Sequence, residues 1–133
     1  MKPALIDTDT VSYFFRNNAA VVAKLDEYLQ EFGYVNLSVI TYYEVLNGLY
    51  FKDAKSQLVK FERFVELNHI LPLTNEIAQE AATIYAVLRS QGQPIGHNDV
   101  LIAGTAIVNN LTLITNNINH FSRIKGLDID NWS

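Results

Sequence analysis

Three acidic residues, Asp7, Glu44 and Asp99, are the side chains of this sequence whose placement points most directly to chemistry. Each stands where the sequence predicts that an apolar strand gives way to a helix. In a parallel α/β sheet such strand ends gather at one edge, so acids far apart in the sequence can converge there. Converged carboxylates repel one another unless a cation lies between them. The pattern therefore predicts a site for a divalent metal ion.

The expected ion is Mg²⁺, with Mn²⁺ as the alternative, because oxygen ligands and partly retained water suit these ions. Zinc is disfavoured, since the sequence has no cysteine and its three histidines are scattered at His69, His97 and His120. The lack of cysteine also excludes a disulfide scaffold and a cysteine nucleophile.

Four polar residues are candidate supports for the acids: Asp9, Thr115, Asn116 and Asn117. Asp9 follows Asp7 by two residues and is either a further metal ligand or the cap of the next helix. The Thr-Asn-Asn segment ends a predicted strand. It can hydrogen-bond metal-bound water or a phosphate there, or it can simply form a polar turn.

Each principal acid also has a purely structural interpretation. Asp7 and Asp99 at helix N-termini would be stabilised by the helix dipole, by about 0.3–1 kcal/mol. Glu44 fits a capping box with Thr41, although Ser38 directly follows a strand and is the better cap, which would place Glu44 in the second helical turn. The three placements taken together favour a functional site over these separate explanations.

Predicted strands and helices alternate along the chain. The strands are expected at 4–6, 34–37, 69–71 and 111–115, with helices ending near 16 and spanning 19–31, 38–49, 53–66, 75–90 and 99–108, before a short turn region and an apolar segment at 127–129. The expected N-caps are Asp9 or Thr10, Ser38, Thr74 and Asn98. Strands joined by helical crossovers predict an α/β fold, with a mostly parallel sheet between helical layers. A chain of 133 residues is expected to form one domain, 1–133.

Composition narrows the class of protein. Hydrophobic residues make up 49% and charged residues 18% of the sequence, which is typical of a globular chain. No stretch approaches the roughly 18 consecutive apolar residues of a membrane helix, and the first residues lack the apolar segment of a signal peptide. We therefore expect a cytoplasmic protein without a membrane partner. A net charge of −4 argues against non-specific wrapping of nucleic acid but permits a nuclease whose metal ion supplies positive charge.

Five segments of the sequence carry a resemblance to a known family. The sequence is similar to the PIN-domain ribonucleases, and in particular to the VapC toxins of bacterial toxin–antitoxin pairs. Each segment is short, but their order and spacing in a chain of this length are specific. The matching segments are Leu5–Asp9, Tyr43–Gly48, Ile95–Ala103, Leu113–Asn117 and His120-Phe121.

The resemblance implies a three-layer α/β/α PIN-like sandwich with a mainly parallel central sheet, and cleavage of RNA that depends on Mg²⁺ or Mn²⁺. It assigns the catalytic, metal-binding roles to Asp7, Glu44 and Asp99. Many PIN domains have aspartate where this chain has Asn117, and a neutral amide there weakens a second metal position. One tightly bound ion is therefore expected, with a second ion recruited by the substrate.

The resemblance also implies partners. They are an RNA substrate, a homodimeric second copy and a cognate antitoxin whose segment occupies the acidic groove. Similar VapC toxins share the Thr-Asn-Asn segment and cut initiator transfer RNA in its anticodon region, so that RNA is a candidate substrate. Scattered cations are expected to contact the RNA backbone. Aromatic side chains such as Tyr13, Phe14 and Tyr43 can stack on bases, although packing in the core is the expected role for most of them. The cations are Arg16, Lys52, Lys55, Arg89, Arg123 and Lys125.

Three alternatives belong to other classes. A catalytically inert PIN-like binding module is permitted by the missing fourth acid. A haloacid dehalogenase-like phosphatase would explain the segment 7–11 but requires a later lysine and a downstream pair of acids. Only Lys125 follows Thr115, and Asp99 precedes it without an acidic neighbour. A phospho-accepting receiver domain requires an aspartate after the middle strand, where this chain has Pro72-Leu73-Thr74.

Overall fold

The computed structural model describes all residues, 1–133, as five short strands and seven helices. The helices and strands follow in the order β1 (Ala4–Ile6), α1 (Thr8–Phe15), α2 (Ala19–Phe32), β2 (Asn36–Ser38), α3 (Val39–Phe51), α4 (Lys55–Glu66), β3 (His69–Leu71), α5 (Asn75–Ser90), α6 (His97–Val108), β4 (Thr112–Ile114), α7 (Ile118–Phe121) and β5 (Ile129–Asp130).

The strands form one sheet in the order β3-β2-β1-β4-β5, and every neighbouring pair is parallel. The central strand β1 has alternating residues on opposite faces, since successive strand side chains point to opposite sides. Leu5 packs in one apolar cluster with residues of α5 and α6. Ala4 and Ile6 pack in the other cluster with residues of α1, α2 and α4. The predicted α/β sandwich with a parallel central sheet is therefore confirmed.

Two of the predicted helix caps are confirmed. The Ser38 hydroxyl accepts a 2.9 Å hydrogen bond from the backbone N–H of Thr41, and the Thr74 hydroxyl accepts one of 3.2 Å from Ile77. The capping box between Thr41 and Glu44 is consequently absent. Glu44 lies in the second turn of α3, as the position of Ser38 predicts.

Two other cap predictions are wrong. Helix α1 begins at Thr8 with Asp7 as its N-cap, so Asp9 and Thr10 lie inside the helix. Helix α6 begins with Gly96 as its N-cap and without any side-chain cap bond, so Asn98 lies in its first turn. Both helices therefore begin earlier in the sequence than the residues predicted as their N-caps.

The prediction that Asp99 stands directly after a strand is also wrong. Asp99 does not follow a strand, because the loop 91–96 after α5 leads directly into α6. It nevertheless lies at the expected edge of the sheet. Helix α6 leads into β4 and must run back along the sheet, which places its first turn at the carboxyl end of the strands.

The turn region predicted near the C-terminus contains the one-turn helix α7, whose Phe121 is fully buried. The apolar segment at 127–129 leads into β5, which pairs with β4 at the sheet edge. Four helical residues are too few to produce a recognisable 3.6-residue period, so the sequence gives no sign of α7. None of the helices has the length and apolar character needed to cross a membrane.

Candidate active site

Asp7 occupies the centre of the carboxyl edge, between the end of β1 and the start of α1. Its side chain is buried, with 5% of the residue's surface exposed. Oδ1 accepts a 2.8 Å hydrogen bond from the backbone N–H of Thr8, and Oδ2 accepts one of 2.8 Å from the Thr115 hydroxyl. Burial, reinforced by the neighbouring charge of Asp9, raises the pKa of Asp7 to about 7, although both hydrogen bonds oppose this shift.

Asp9 lies beside Asp7, in the first turn of α1. Its Oδ2 accepts a 2.9 Å hydrogen bond from the backbone N–H of Asn116, just beyond β4. The Asn116 side chain points elsewhere, because its amide donates to the Tyr13 hydroxyl and its carbonyl accepts from Asn131 and Ser133. Asn116 thus supports Asp9 through its backbone, while its side chain holds the C-terminal residues against α1.

Glu44 lies on α3, and its side chain reaches the same carboxyl edge of the sheet as Asp7. The Thr8 hydroxyl donates a 2.7 Å hydrogen bond to Glu44 Oε1, and the Asn98 amide lies 3.4 Å from Oε2. Glu44 is therefore joined to α1 on one side and to α6 on the other. These contacts place its carboxylate between the two helices that carry Asp7 and Asp99.

Asp99 is half-buried in the first turn of α6, with 30% of its side chain exposed. Burial and the negative charge of Glu44 raise the pKa of Asp99, and the neighbouring His120 partly offsets this shift. His120 Nδ1 lies 3.8 Å from Asp99 Oδ2 and 2.8 Å from the Asn117 amide nitrogen. Asn117 thus contacts a histidine next to Asp99.

The four carboxylates share one electrostatic environment. Asp9 and Asp99 both raise the pKa of Asp7, and Glu44 and Asp9 both raise that of Asp99. No lysine or arginine forms an ion pair with any of them, and His120 is the only basic side chain in ion-pair contact. The site is therefore a concentration of negative charge without a protein cation to neutralise it.

The carboxylates do not form a compact ligand cage. No three aspartate, glutamate or histidine side chains of the chain stand close enough together to hold a metal ion as a group. The structure brings Asp7, Asp9, Glu44 and Asp99 to one edge, and it places Thr115 in direct contact with Asp7. Any ion bound there would have few direct protein ligands and would keep part of its water shell.

Three contributors to the site received no site role in the prediction from the sequence: Thr8, Asn98 and His120. Thr8 and Asn98 contact Glu44 across 36 and 54 residues of sequence. His120 follows Asn117 by one helical turn, which was the one local sign that it could face the same site.

Comparison with known proteins identifies the family. A family model described as PIN domain matches residues 4–127. The chain therefore belongs to the PIN-domain family. This result confirms the resemblance carried by the five segments and excludes the phosphatase and receiver-domain alternatives.

The relatives of this chain within the family include VapC ribonucleases. Ribonuclease VapC1 of Haemophilus influenzae (strain R2866) is 29% identical over 130 residues, which cover 97% of each chain. The tRNA(fMet)-specific endonuclease VapC of Shigella flexneri is 31% identical over 134 residues, also covering 97% of each chain. The crystal structure of DNA-bound VapBC from Salmonella typhimurium superposes with a TM-score of 0.89 at 27% identity, covering 100% of both chains.

Proposed function

We propose that this protein is a divalent-metal-dependent endoribonuclease, the toxin of a toxin–antitoxin pair. The observation that carries the proposal is the gathering of four carboxylates at the carboxyl edge with no lysine or arginine paired to them. The similarity of this protein to VapC ribonucleases over nearly the whole chain supports RNA as the substrate. Because we propose cellular RNA as the substrate, we place the protein in the cytoplasm. We also propose that the chain forms a single catalytic domain.

The donor set fits Mg²⁺ or Mn²⁺. Carboxylate oxygens suit these hard ions, and Mg²⁺ is commonly held by one or two carboxylates together with water and substrate phosphate. We assign the ligand roles to Asp7, Glu44 and Asp99, either directly or through water. When bound, the ion would activate a water molecule and offset charge on the phosphodiester transition state.

The other residues of the site position these acids. Thr115 and the backbone N–H of Thr8 fix the two oxygens of Asp7, and the Asn116 N–H fixes Asp9. Thr8 also orients Glu44 through its hydroxyl. Because each contact leaves carboxylate lone pairs available, the acids can hold an ion without first breaking their hydrogen bonds.

The substrate and partners follow from the similar proteins. The Shigella flexneri relative is named as specific for tRNA(fMet), so initiator transfer RNA is our candidate substrate. Structures of similar chains are VapBC complexes, which supports a cognate antitoxin as the partner. We further propose that the chain acts as a homodimer. With Asn117 in place of a fourth acid, we propose one tightly bound ion per protomer.

The test compares matched variants on RNA. Purified protein with Mg²⁺ or Mn²⁺ should cut labelled initiator transfer RNA, and EDTA should stop the reaction. Asp7→Asn should abolish cleavage, whereas Asp26→Asn, the same change at an exposed position of α2, should not alter it. If wild-type protein cut RNA no faster than Asp7→Asn, the inert binding-module alternative would replace the nuclease.

A further inference from the structure

A groove of about 480 Å³ runs between α1 and α3 and is closed at one side by α4. Both helices start at the carboxyl edge of the sheet, because each follows directly from a strand. They therefore run side by side away from the carboxylates. The Thr8–Glu44 hydrogen bond joins the helices at the acidic end of the groove.

Each wall of the groove presents residues spaced by one helical turn. Along α1 and its C-cap they are Thr8, Ser12 and Arg16, and along α3 and its C-cap they are Glu44, Gly48 and Lys52. Residues four apart lie on one face of a helix. Each wall therefore leads from the carboxylate site, past a small residue, to an exposed cation about 12 Å further along the axis, at 1.5 Å per residue.

Gly48 leaves the middle of the groove open. Glycine is unfavourable inside a helix compared with alanine. Beyond the adjoining backbone of α3, a Cβ atom placed on Gly48 would meet no atom within 4 Å, so close packing does not require the glycine. The space above it belongs to the groove and lies one helical turn from Glu44.

The charges of the groove change along its length. Glu44 is the only acid that lines it, and Arg16 and Lys52 are the only cations. The Arg16 side chain is held along α1 by a 3.1 Å hydrogen bond to the Ser12 hydroxyl. In a chain with a net charge of −4, two cations at the far end of one groove form a local positive site.

We propose that this groove holds the RNA strand on one side of the scissile phosphate, with Arg16 and Lys52 contacting backbone phosphates and Gly48 leaving room for the chain beside Glu44. This inference rests on the proposed function. An RNA strand suits both ends of the groove, because a phosphate at the acidic end would meet the metal ion and later phosphates would meet cations. A cognate antitoxin segment that reached the carboxylates would compete with this RNA strand.

The groove can be tested by the salt dependence of RNA binding. Each phosphate contact to a single strand contributes about 0.7 to the slope of log affinity against log salt concentration. We would measure anisotropy of a labelled single-stranded RNA with Ca²⁺ replacing Mg²⁺, and check by gel that the RNA stays intact. The double variant Arg16→Gln/Lys52→Gln should reduce the slope by about 1.4.

The matched control is Lys60→Gln/Arg63→Gln, which removes the same two charges from exposed positions of α4 outside the groove. Its slope should stay at the wild-type value. A second variant, Gly48→Leu, fills the groove with a good helix former. Its melting temperature should not fall, while its RNA affinity should drop about tenfold or more, as expected if a bound strand is displaced.

The possible results separate this inference from the proposed function. If wild-type protein cuts and binds RNA but the groove variants keep the wild-type slope and affinity, the groove does not hold RNA. Retained RNA binding with lost binding of a partner protein would assign the groove to that protein and would also overturn the inference. A wild-type protein that neither binds nor cuts RNA would overturn the proposed function as well.

Discussion

The Thr115 hydroxyl donates a 2.8 Å hydrogen bond to Asp7 Oδ2 and so joins the end of β4 to the end of β1. Both residues are buried, and the same hydroxyl accepts a 2.9 Å bond from the backbone N–H of Asn117. A single side chain thus orients the central carboxylate and the turn that carries Asn117. The two adjacent strands make this possible because their parallel register brings Ile6 beside Ile114.

Replacing Thr115 by valine should therefore impair the site more than the fold. Thr115→Val removes a hydrogen bond that favours the charged form of Asp7, so the pKa of Asp7 should rise above about 7. We expect RNA cleavage at pH 7 to fall by about tenfold or more, corresponding to a loss of about 1.5–3 kcal/mol for a hydrogen bond to a charged group. Steady-state cleavage of labelled RNA would measure the effect.

Thr112→Val is the matched control for this substitution. Thr112 lies at the other end of β4 and donates a 2.8 Å hydrogen bond to Asp128, far from the acids along the strand. Its replacement should leave the cleavage rate unchanged. Equal losses of cleavage in both variants would mean that the Thr115 bond acts only through general stability.

The raised pKa of Asp7 should make the metal-free protein less stable as pH increases. The folded-state pKa is about 7, against an ordinary value of 3.8. Between these values the folded protein keeps a proton that the unfolded chain releases, so the free energy of unfolding falls as pH rises from about 4 to about 7. The full cost, on the order of 4 kcal/mol, is reached well above pH 7.

Asp7→Asn should remove most of this dependence, because asparagine resembles the protonated acid. In urea unfolding with EDTA, the variant should be more stable than wild type at pH 8 and nearly equal to it at pH 4. Part of the slope should remain, since burial also raises the pKa of Asp99. If the free energy of unfolding changed between pH 5 and pH 7 by the same amount in wild type and in Asp7→Asn, the pH dependence could not be assigned to Asp7.

Divalent metal should reverse this loss of stability. An ion that binds only the folded state at a concentration 100 times its Kd adds about 2.7 kcal/mol to the free energy of unfolding. We expect Mg²⁺ or Mn²⁺ to raise the melting temperature of wild-type protein at pH 8, and of Asp26→Asn equally. Asp7→Asn should respond weakly. A melting temperature independent of metal in all three proteins would argue against the proposed site.

Much of the fold was predictable because the helices and strands carry local signals. Helix α2 ends at Phe32, one residue beyond the predicted bound, and is followed by Gly33, whose φ of 81° favours glycine. Helix α5 begins after the Thr74 cap, as predicted. The start of α6 was not predictable, since Gly96 caps it without any side-chain bond. Signals of this kind fail where the backbone alone satisfies the helix terminus.

The position of the acids at the carboxyl edge was predictable from the sequence, whereas their hydrogen-bond partners were not. Asp7 follows an apolar strand directly, and that position fixes it at the carboxyl edge. Asp99 reaches the same edge for a reason other than the one predicted, namely the return direction of α6. The Thr8–Glu44 contact joins two helices across 36 residues, and a threonine in a first helical turn resembles any capping or surface residue. Such contacts form only when the helices pack together, so the pattern of neighbouring residues in the sequence does not predict them.

Asn117 offers a direct test of how the charge of the site governs metal binding. Asn117→Asp adds a carboxylate next to His120, which itself lies 3.8 Å from Asp99. The added negative charge should destabilise the metal-free protein at neutral pH and should strengthen metal binding, so that cleavage reaches half its maximum at a lower Mn²⁺ concentration.

Asn119→Asp, at an exposed position of the short helix that Asn117 precedes, is the matched control. It should shift that midpoint little, because its charge is screened by solvent. Titration of cleavage with Mn²⁺ would compare the three proteins. If Asn117→Asp needed as much metal as Asn119→Asp, the amide at position 117 would not be what limits metal binding.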